Sequence, residues 1–376
     1  MNFGFDEEQK SLAHTVAQQL ADFPALTAPD LVPSHDDDCW GALAELGLFA
    51  LLVPERSDGV GLSLVDLALA VEALGEGLAP LSVSTTIAAT DVIMRHGTDS
   101  QQRAFLTEIA AGKVKVAIAL LEADSGYDVD ALRTTVTGGT LRGGKILVAD
   151  AASADLLLVV ARGEEGPVVV MVDPGTEGVT IRRHDDLDPT SGHCAVTFER
   201  VIVGDEAILG QSSAGRAVSR LLDVAATLYA GLSIGIAARM LDKAVDYAKT
   251  RMQFGQPIGA FQAIKHRCAD MAVAVEAGRS AAYYAFWAVS GDAPDRARAA
   301  SMAKSYCGEI ARHVCNETIQ VHGGMGFTWE LGLHRFLRRS KVIEQSFGDA
   351  AWHNERILSA TLAAMNAVPS RDQDAA

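Results

Sequence analysis

The chain has 376 residues, a formal net charge of −16 and 49% hydrophobic residues. This length supports a large buried core with two or three layers of structure. The negative charge argues against a nucleic-acid partner, because phosphate backbones require a basic surface. It argues equally against binding to an anionic membrane surface.

The cysteines and the termini indicate the compartment. The five cysteines are scattered, odd in number and without a CxxC pair, which is typical of reduced thiols and predicts no metal site. The first residues, Met1 to Glu8, are acidic and lack the apolar core of a signal peptide. No uninterrupted apolar run of about 18 residues occurs, so we expect no membrane span. These features predict a cytoplasmic protein.

The first 115 residues show apolar positions at helical spacing, interrupted by Gly and Pro signals that end helices. The pattern predicts helices over residues 6–22, 38–49, 64–74, 82–96 and 101–111. After Gly215 the helical period returns in three long stretches with heptad-like apolar spacing, residues 216–250, 261–290 and 295–322. Such spacing suits an antiparallel helical bundle.

Between these helical regions the sequence pattern changes to short segments rich in β-forming residues, each bounded by Gly, Asp or Pro. They cover residues 114–121, 132–136, 140–149, 156–162, 167–172, 178–183 and 194–204. Spacing of about ten residues between segments predicts an all-β barrel or sandwich. The predicted fold is therefore α+β. It comprises an N-terminal helical domain (1–115), a middle β-barrel domain (116–213), a C-terminal four-helix-bundle domain (214–366) and a polar tail (367–376).

A sharp turn at Gly255 and Pro257 brings Arg251, Gln253 and Phe254 together between two predicted helices. The planar guanidinium of Arg251 suits phosphate oxygens. Gln253 offers hydrogen bonds to a polar edge, and the Phe254 ring offers a cover for a flat ring. The plainer alternative for Arg251 is a surface salt bridge.

A second motif contains Gln320 and the pair Gly323-Gly324 at the end of a predicted helix. Glycines allow a backbone to approach a pyrophosphate closely. The alternative is a helix-ending turn without a ligand.

Together, the domain order and the two motifs resemble the acyl-CoA dehydrogenase family over nearly the whole chain. Arg251-Met-Gln-Phe-Gly-Gln-Pro-Ile, with Phe261-Gln262 beyond it, is similar to the family segment R-x-x-F-G-x-P-[IL]-x-x-F-Q. Gln320-Val-His-Gly-Gly-Met-Gly-Phe327 and Glu330 are similar to Q-x-x-G-G-x-G-[FY]-x-x-E.

The resemblance implies a flavoprotein oxidoreductase that desaturates an acyl-CoA thioester and passes electrons to an electron-transfer flavoprotein. Its FAD would lie at a subunit interface. In the family, the positions that match six residues of this chain reach the ADP half of an FAD bound mainly by a neighbouring subunit. These residues are Arg251, Gln253, Phe254, Gln320, Gly323 and Gly324.

The chain departs from the family at the catalytic base. Phe347 stands where the family usually has a glutamate before a glycine, and Ala225 stands at the other known position of the base. A general base typically contributes about 10²–10⁴-fold to the rate. The remaining carboxylates are weak candidates. Asp349 is also expected as a loop cap or an FAD ribose contact, and Asp223 as a structural hydrogen-bond partner. No catalytic residue is therefore assigned.

The β-domain departs as well. In the segment that resembles T-E-P-x-A-G-S-D, Leu121 replaces the threonine that faces the flavin and Tyr127 replaces the serine. In the segment that resembles G-x-K-x-W-I-T, Leu147 replaces the tryptophan and Ala149 the threonine. Leucine offers no hydrogen bond to the isoalloxazine ring.

The residues expected to bind the ADP half of FAD are present, whereas the residues expected to contact its flavin ring are replaced. This contrast predicts a β-like partner subunit. It resembles the base-lacking subunits of heteromeric α₂β₂ acyl-CoA dehydrogenases that act on sterol side chains. Two alternatives stay open. One is a homo-oligomeric, self-sufficient flavoenzyme with different chemistry, such as a flavin monooxygenase. The other is a non-catalytic scaffold subunit.

Overall fold

The computed structural model describes residues 4–27, 35–210 and 214–366, so the predicted tail at 367–376 lies outside the described residues. The N-terminal region is helical, as predicted, and most helix ends fall within a few residues of the predicted ends. Its α-helices are α1 (Glu7–Ala21), α2 (His35–Glu45), α3 (Ala68–Glu76), α4 (Leu81–His96) and α5 (Asp99–Ala110). Capping boxes begin α1 at Asp6 and α5 at Thr98, which satisfies backbone N–H groups that have no partner inside the helix.

The middle region forms one seven-stranded sheet. Its strands are β1 (Val116–Ala119), β2 (Thr135–Thr137), β3 (Thr140–Val148), β4 (Leu156–Arg162), β5 (Pro167–Val172), β6 (Val179–Arg183) and β7 (Cys194–Ile202). The strand order is β1-β4-β2-β3-β7-β6, with β5 on β4. The β1 and β2 strands pair with β4 in parallel and the other pairs are antiparallel.

The predicted β-barrel is wrong in one respect, because this path is open. Within the described residues β1 and β6 do not pair, so no closed barrel is detected. Regular strand spacing indicates how neighbouring strands connect, but it does not determine whether the two edges of the sheet meet.

Strand β4 shows how the sheet joins two cores. Leu156, Leu158 and Val160 belong to the main core, which they share with the helices. The alternate residues Leu157 and Val159 face a smaller core on the other side of the sheet. Because successive side chains of a strand point to opposite faces, a strand buried on both sides is apolar throughout.

The C-terminal region is a helical bundle. Its helices are α6 (Ala214–Thr250), α7 (Gln262–Ser290), α8 (Arg296–His322), α9 (Leu333–Gln345) and α10 (Ala350–Asn366). A small hairpin, β8 (Met252–Gln253) and β9 (Gln256–Pro257), connects α6 to α7. Helices α6, α7 and α8 pack on one another, and α10 packs on α8.

Helix α6 also packs on α3 and α4 of the N-terminal region. A Cβ added to Gly235 would lie 1.9 Å from the carbonyl oxygen of Glu72, and one added to Gly75 would lie 2.2 Å from that of Leu232. The α3 and α6 backbones therefore touch where they cross. Among the described helices, α6 alone is long and apolar enough to cross a membrane, and its apolar window is 100% buried inside the protein.

Candidate functional site

The two motifs are neighbours in space because the last turns of α6 and α8 meet. The ring of Tyr247 stacks on that of His322, with centroids 4.2 Å apart. The backbone N–H of Arg251 donates to the Tyr247 carbonyl at 2.8 Å, and Gly323 directly follows His322. The turn after α6 and the turn after α8 therefore form one surface, which we call the exposed edge (residues 251–254 and 320–324).

All the predicted cofactor-binding residues of the exposed edge lie open to solvent. They are Arg251, Gln253, Phe254, Gln320, Gly323 and Gly324. In the part of the chain that the structure describes, the guanidinium of Arg251 forms no salt bridge or hydrogen bond. A Cβ added to Gly323 or Gly324 would meet nothing within 4 Å. The edge thus presents a free cation beside accessible backbone, a donor set that fits the phosphates of a dinucleotide.

Phe254 is held outward by a strained turn. Its φ is 51°, its side chain is 90% exposed, and Gly255 follows with φ 79°. A bulky residue in the left-handed region costs of order 1–3 kcal/mol. Its ring contacts Phe261 edge-on, with centroids 6.0 Å apart. The turn therefore presents a largely unburied aromatic face next to Arg251.

The other half of the expected site is a separate cavity between the sheet and the helices, which we call the ring-side cavity. The replaced residues Leu121, Tyr127, Leu147 and Ala149 line it together with Phe347. Its volume is about 240 Å³, smaller than the ~300–1,000 Å³ of typical ligand pockets. In contrast to the exposed edge, it does not fit a flavin ring together with an acyl chain.

A buried ion pair fixes the backbone on the sheet side of this cavity. The Lys145 ammonium donates to Glu122 at 2.7 Å, and both side chains are almost fully buried. Backbone N–H groups of Arg133 and Thr134 also donate to Glu122. Burial alone would raise the pKa of Glu122, but these hydrogen bonds outweigh burial and lower it to about 2. The frame of the cavity is rigid, although the side chains that face it are apolar.

Tyr127 crosses from the sheet region to the helices. Its hydroxyl donates to the carbonyl of Gln345 at the end of α9, and its ring contacts Trp352 with centroids 5.9 Å apart. Burial raises the pKa of Tyr127, so the phenol stays neutral. This side chain occupies space that a serine at the same position would leave open.

The loop at Phe347 is held from below. Lys304 is buried, and its ammonium donates to the carbonyls of Glu344 and Gly348, each at 2.9 Å. Burial lowers the pKa of Lys304 to about 7. His353 Nε2 donates to the Phe347 carbonyl at 3.1 Å, while its buried Nδ1 has no partner.

Phe347 itself adopts the left-handed conformation, with φ 56°, and is only 8% exposed. Its ring packs edge-on against Tyr229, with centroids 4.8 Å apart. The residue at the usual position of the base therefore closes the cavity with an apolar side chain.

The structure places the weak carboxylate candidates in structural contacts. The Asp223 carboxylate is fully buried and receives hydrogen bonds from Arg296 at 3.1 Å and Arg356 at 2.9 Å. Asp349 accepts a hydrogen bond from the backbone N–H of Trp352 at 2.8 Å, which is the geometry of a helix cap on α10. Ala225 is buried within α6. None of these three residues lines the ring-side cavity.

Two ionisable residues of the cavity were not predicted from the sequence. His193 and Asp186 both line it, and the Nδ1 atom of His193 is hydrogen-bonded to Asp186. A short turn at Pro189–Ser191 brings them together. A His and an Asp on either side of a Pro-containing turn were the available signal. Among residues 4–27, 35–210 and 214–366, no group of three or more His, Cys, Asp or Glu side chains is placed to hold a metal ion.

Comparison with known families assigns every region of this architecture. The N-terminal domain of acyl-CoA dehydrogenases matches residues 6–113, the middle domain matches residues 117–201 and the C-terminal domain matches residues 215–362. A probable acyl-CoA dehydrogenase of Bacillus subtilis, YngJ, is 30% identical over 366 residues, which are 92% of this chain and 95% of YngJ.

Solved structures show the same fold. Butyryl-CoA dehydrogenase from Megasphaera elsdenii superposes with a TM-score of 0.88 and 26% identity, covering 96% of this chain and 100% of that one. The ChsE4-ChsE5 complex from Mycobacterium tuberculosis gives a TM-score of 0.86 at 24% identity, covering 98% of this chain and 100% of the matched chain. At that identity, the second likeness is one of fold alone.

Proposed function

Because the chain belongs to the acyl-CoA dehydrogenase family, whose members are FAD-binding oxidoreductases, we propose that it is the β-like subunit of a heteromeric acyl-CoA dehydrogenase. In this role it lends the exposed edge to the ADP half of an FAD whose flavin ring lies in a paralogous partner subunit. The partner supplies the catalytic base. The assembly is an α₂β₂ heteromer in the cytoplasm.

One observation carries the proposal, namely the contrast between the exposed edge and the ring-side cavity. At the edge, the guanidinium of Arg251 has no partner among the described residues, and a Cβ added to Gly323 would meet none of their atoms within 4 Å. In the cavity, Tyr127 and Phe347 line the wall at the positions where the family has a serine near the flavin and the catalytic base. A chain that acted alone would need both halves, whereas a chain that completes its partner's site needs only the first.

Each residue of the edge has a separate task in this proposal. Arg251 neutralises a pyrophosphate by charge-assisted hydrogen bonds, and Gly323 with Gly324 lets backbone approach it. Gln253 and Gln320 supply neutral hydrogen bonds, and Phe254 covers a planar ring. When bound, FAD supplies a two-electron acceptor for the hydride removed from the β-carbon of an acyl-CoA. An electron-transfer flavoprotein then takes up the electrons.

The fold that the chain shares with the ChsE4-ChsE5 complex is compatible with a partner of the same fold. The net charge of −16 is compatible with such an assembly, because the proposed role requires no binding to nucleic acid or to an anionic membrane. The exposed Phe254 and Phe327, at 90% and 85% accessibility, offer apolar contact area of the kind that subunit interfaces bury.

The decisive experiment measures FAD content and assembly together. The full chain is purified alone and after co-expression with each paralogue encoded nearby, and bound flavin is quantified from its absorbance. We expect little flavin on the isolated chain, and one FAD for each pair of unlike chains in the complex. Anaerobic addition of acyl-CoA should reduce the flavin of the complex only.

Three outcomes contradict the proposal and separate the alternatives. An isolated homo-oligomer that binds one FAD per chain and is reduced by acyl-CoA would be a self-sufficient dehydrogenase. If that flavin is reduced by a flavin reductase and not by acyl-CoA, the chemistry is of another kind. A chain that binds no flavin in any assembly would be a scaffold.

A further inference from the structure

The proposed function leaves the ring-side cavity of this chain unused, although the cavity contains an ordered His–Asp pair. Asp186 accepts a hydrogen bond from the Nδ1 atom of His193, and the Ser191 hydroxyl donates to the same carboxylate oxygen at 2.9 Å. The backbone N–H of His193 lies 3.4 Å from the Ser191 hydroxyl oxygen. Both partners of the pair are thus held by one turn, and their orientation is fixed.

This arrangement determines the state of the other ring nitrogen. An ionised carboxylate is an acceptor only, so Nδ1 of His193 must carry its hydrogen and Nε2 of the neutral ring is left with a lone pair. In the described residues Nε2 has no hydrogen-bond partner. His193 is 5% exposed and lines the cavity. Within the described residues, an accessible acceptor therefore lies in the wall of this cavity without a protein donor.

Burial keeps this ring neutral near pH 7. Burial lowers the pKa of His193, and the nearby Arg339 lowers it further, while Asp186 and Asp188 oppose both effects. Arg339 and Asp188 are themselves paired at 2.6 Å. The other ionisable groups that line the cavity are Tyr127, Tyr229 and Lys341.

The walls define what such an acceptor can receive. Ile118, Leu120, Ile146, Leu187 and Val342 supply an apolar lining. The volume of about 240 Å³ is below the ~300–1,000 Å³ that holds a drug-sized ligand, so it suits a molecule of about one substituted ring. A largely apolar cavity with an accessible acceptor in its wall favours a ligand that carries a hydrogen-bond donor, because a donor buried there without a partner would be unfavourable.

We infer that the ring-side cavity binds a small, largely apolar ligand through its hydroxyl group, with Nε2 of His193 accepting the hydrogen bond and Asp186 holding the imidazole in place. The ligand class is a phenol-like alcohol. This site goes beyond the proposed function, because it occupies the cavity that in our proposal does not receive the flavin ring. It involves no covalent or redox step.

The test compares two probes that differ in one hydrogen-bond donor. 4-Nitrophenol carries a hydroxyl and 4-nitroanisole carries a methoxy group in its place. Binding of each to the full chain, and to the complex with its partner, is measured by calorimetry at a slightly acidic pH, at which 4-nitrophenol keeps its proton. We expect saturable binding of one 4-nitrophenol per chain, with an affinity about tenfold above that of 4-nitroanisole, as one buried hydrogen bond supplies.

Three variants assign the contact. His193→Gln should remove the preference for 4-nitrophenol and leave the affinity for 4-nitroanisole within about twofold. Asp186→Asn should weaken the preference, since the amide can also present its NH2 group to Nδ1 and no longer imposes one tautomer on the imidazole. His266→Gln, at an exposed position on α7, should change neither affinity. Thermal unfolding of each variant shows whether it is folded, and retained 4-nitroanisole binding shows that the cavity is intact.

Failure of this inference is separable from failure of the proposed function. The inference is overturned if 4-nitrophenol shows no saturable binding. It is also overturned if His193→Gln and the unmodified chain prefer 4-nitrophenol over 4-nitroanisole equally. Both outcomes are independent of the flavin content. Flavin bound at one per chain overturns the proposed function. If added FAD displaces 4-nitrophenol from the isolated chain, the cavity is a flavin site and both are wrong.

Discussion

Phe254 at the exposed edge and Phe347 in the ring-side cavity share one local geometry. Each precedes a glycine and has a left-handed backbone, with φ of 51° and 56°. The first ring is 90% exposed and the second is 8% exposed. The same kind of strained turn therefore presents one ring outward and uses the other to close the interior. A phenylalanine in a strained turn therefore does not by itself identify a binding surface. What distinguishes the two positions is whether the side chain points to solvent or into the protein.

The largest effect is expected at the frame of the cavity. Lys145→Met removes one partner of a buried pair and leaves the Glu122 carboxylate without its cation, which should cost about 3–5 kcal/mol in the free energy of unfolding. Urea denaturation measures the loss. The double variant Glu122→Gln with Lys145→Met should recover most of it. Equal stability of the single and double variants would show that the pair does not hold the frame.

Substitution of Arg251 at the exposed edge should change the affinity for FAD and leave the stability of the chain unchanged. Arg251→Ala removes charge-assisted hydrogen bonds worth about 1.5–3 kcal/mol, so FAD affinity of the complex should fall by about 10–100-fold while the thermal midpoint of the flavin-free chain stays constant. Flavin retention after gel filtration measures this. Arg103→Ala, at an exposed position on α5, is the matched control. Unchanged flavin content in Arg251→Ala would exclude Arg251 from the FAD site.

The loop below Phe347 predicts a pH dependence of stability. Burial lowers the pKa of His353 to about 2 from an ordinary 6.5, helped by Lys304 and Arg356. Below pH 6.5 the unfolded chain binds a proton that the folded chain excludes. Stability should therefore fall as pH falls, by up to about 1.4 kcal/mol per pH unit from this residue, and this contribution is constant above pH 6.5.

Urea titrations at several pH values test the assignment to His353. His353→Gln keeps a donor for the Phe347 carbonyl and should have a shallower acid slope, whereas His266→Gln should keep the original one. An unchanged slope in His353→Gln would mean that other groups dominate acid unfolding.

The smallest effect is expected from relieving strain at the edge. Phe254→Gly removes the left-handed penalty of about 1–2 kcal/mol at the cost of about 0.5–1 kcal/mol of extra chain entropy. The isolated chain should gain about 0.5–1 kcal/mol of stability, while the complex loses FAD affinity. Phe261→Leu, which preserves the turn, is the comparison for stability. A variant that loses stability would show that the exposed ring stabilises the isolated chain.

Most of the fold could be read from the sequence because its elements are long and periodic. Helices α6, α7 and α8 and strands β4 and β5 begin and end within two residues of the predicted limits. Closure of the sheet could not be read, because it depends on whether distant edge strands meet. The chain was correctly identified as an acyl-CoA dehydrogenase family member, because two separated motifs carry that information.

The site was accessible from the sequence only where its residues are close along the chain. Leu121 and Phe347 lie 226 positions apart by their numbers, yet both line one cavity, and the family alignment alone suggested it. The pair of His193 and Asp186 belongs to neither family motif, and its one sequence signal, a Pro-containing turn between the two residues, does not indicate that they line the same cavity as Phe347. Glu344 lies three residues after Lys341 on α9, a spacing that favours an ion pair, but it accepts hydrogen bonds from Arg312 at 3.0 Å. Arg312 lies on α8, so the spacing of residues along α9 could not indicate this partner.

The crossing of α3 and α6 has a consequence for how the molecule unfolds and evolves. Because the carbonyls of Glu72 and Leu232 leave no space for a side chain at Gly235 and Gly75, the two helices are locked as a matched pair. The N-terminal helices and the bundle share one hydrophobic core, so they form a single cooperative unit despite the sheet inserted between them in sequence. Recombination that exchanged the N-terminal region between paralogues would have to exchange both glycines and their carbonyl partners together.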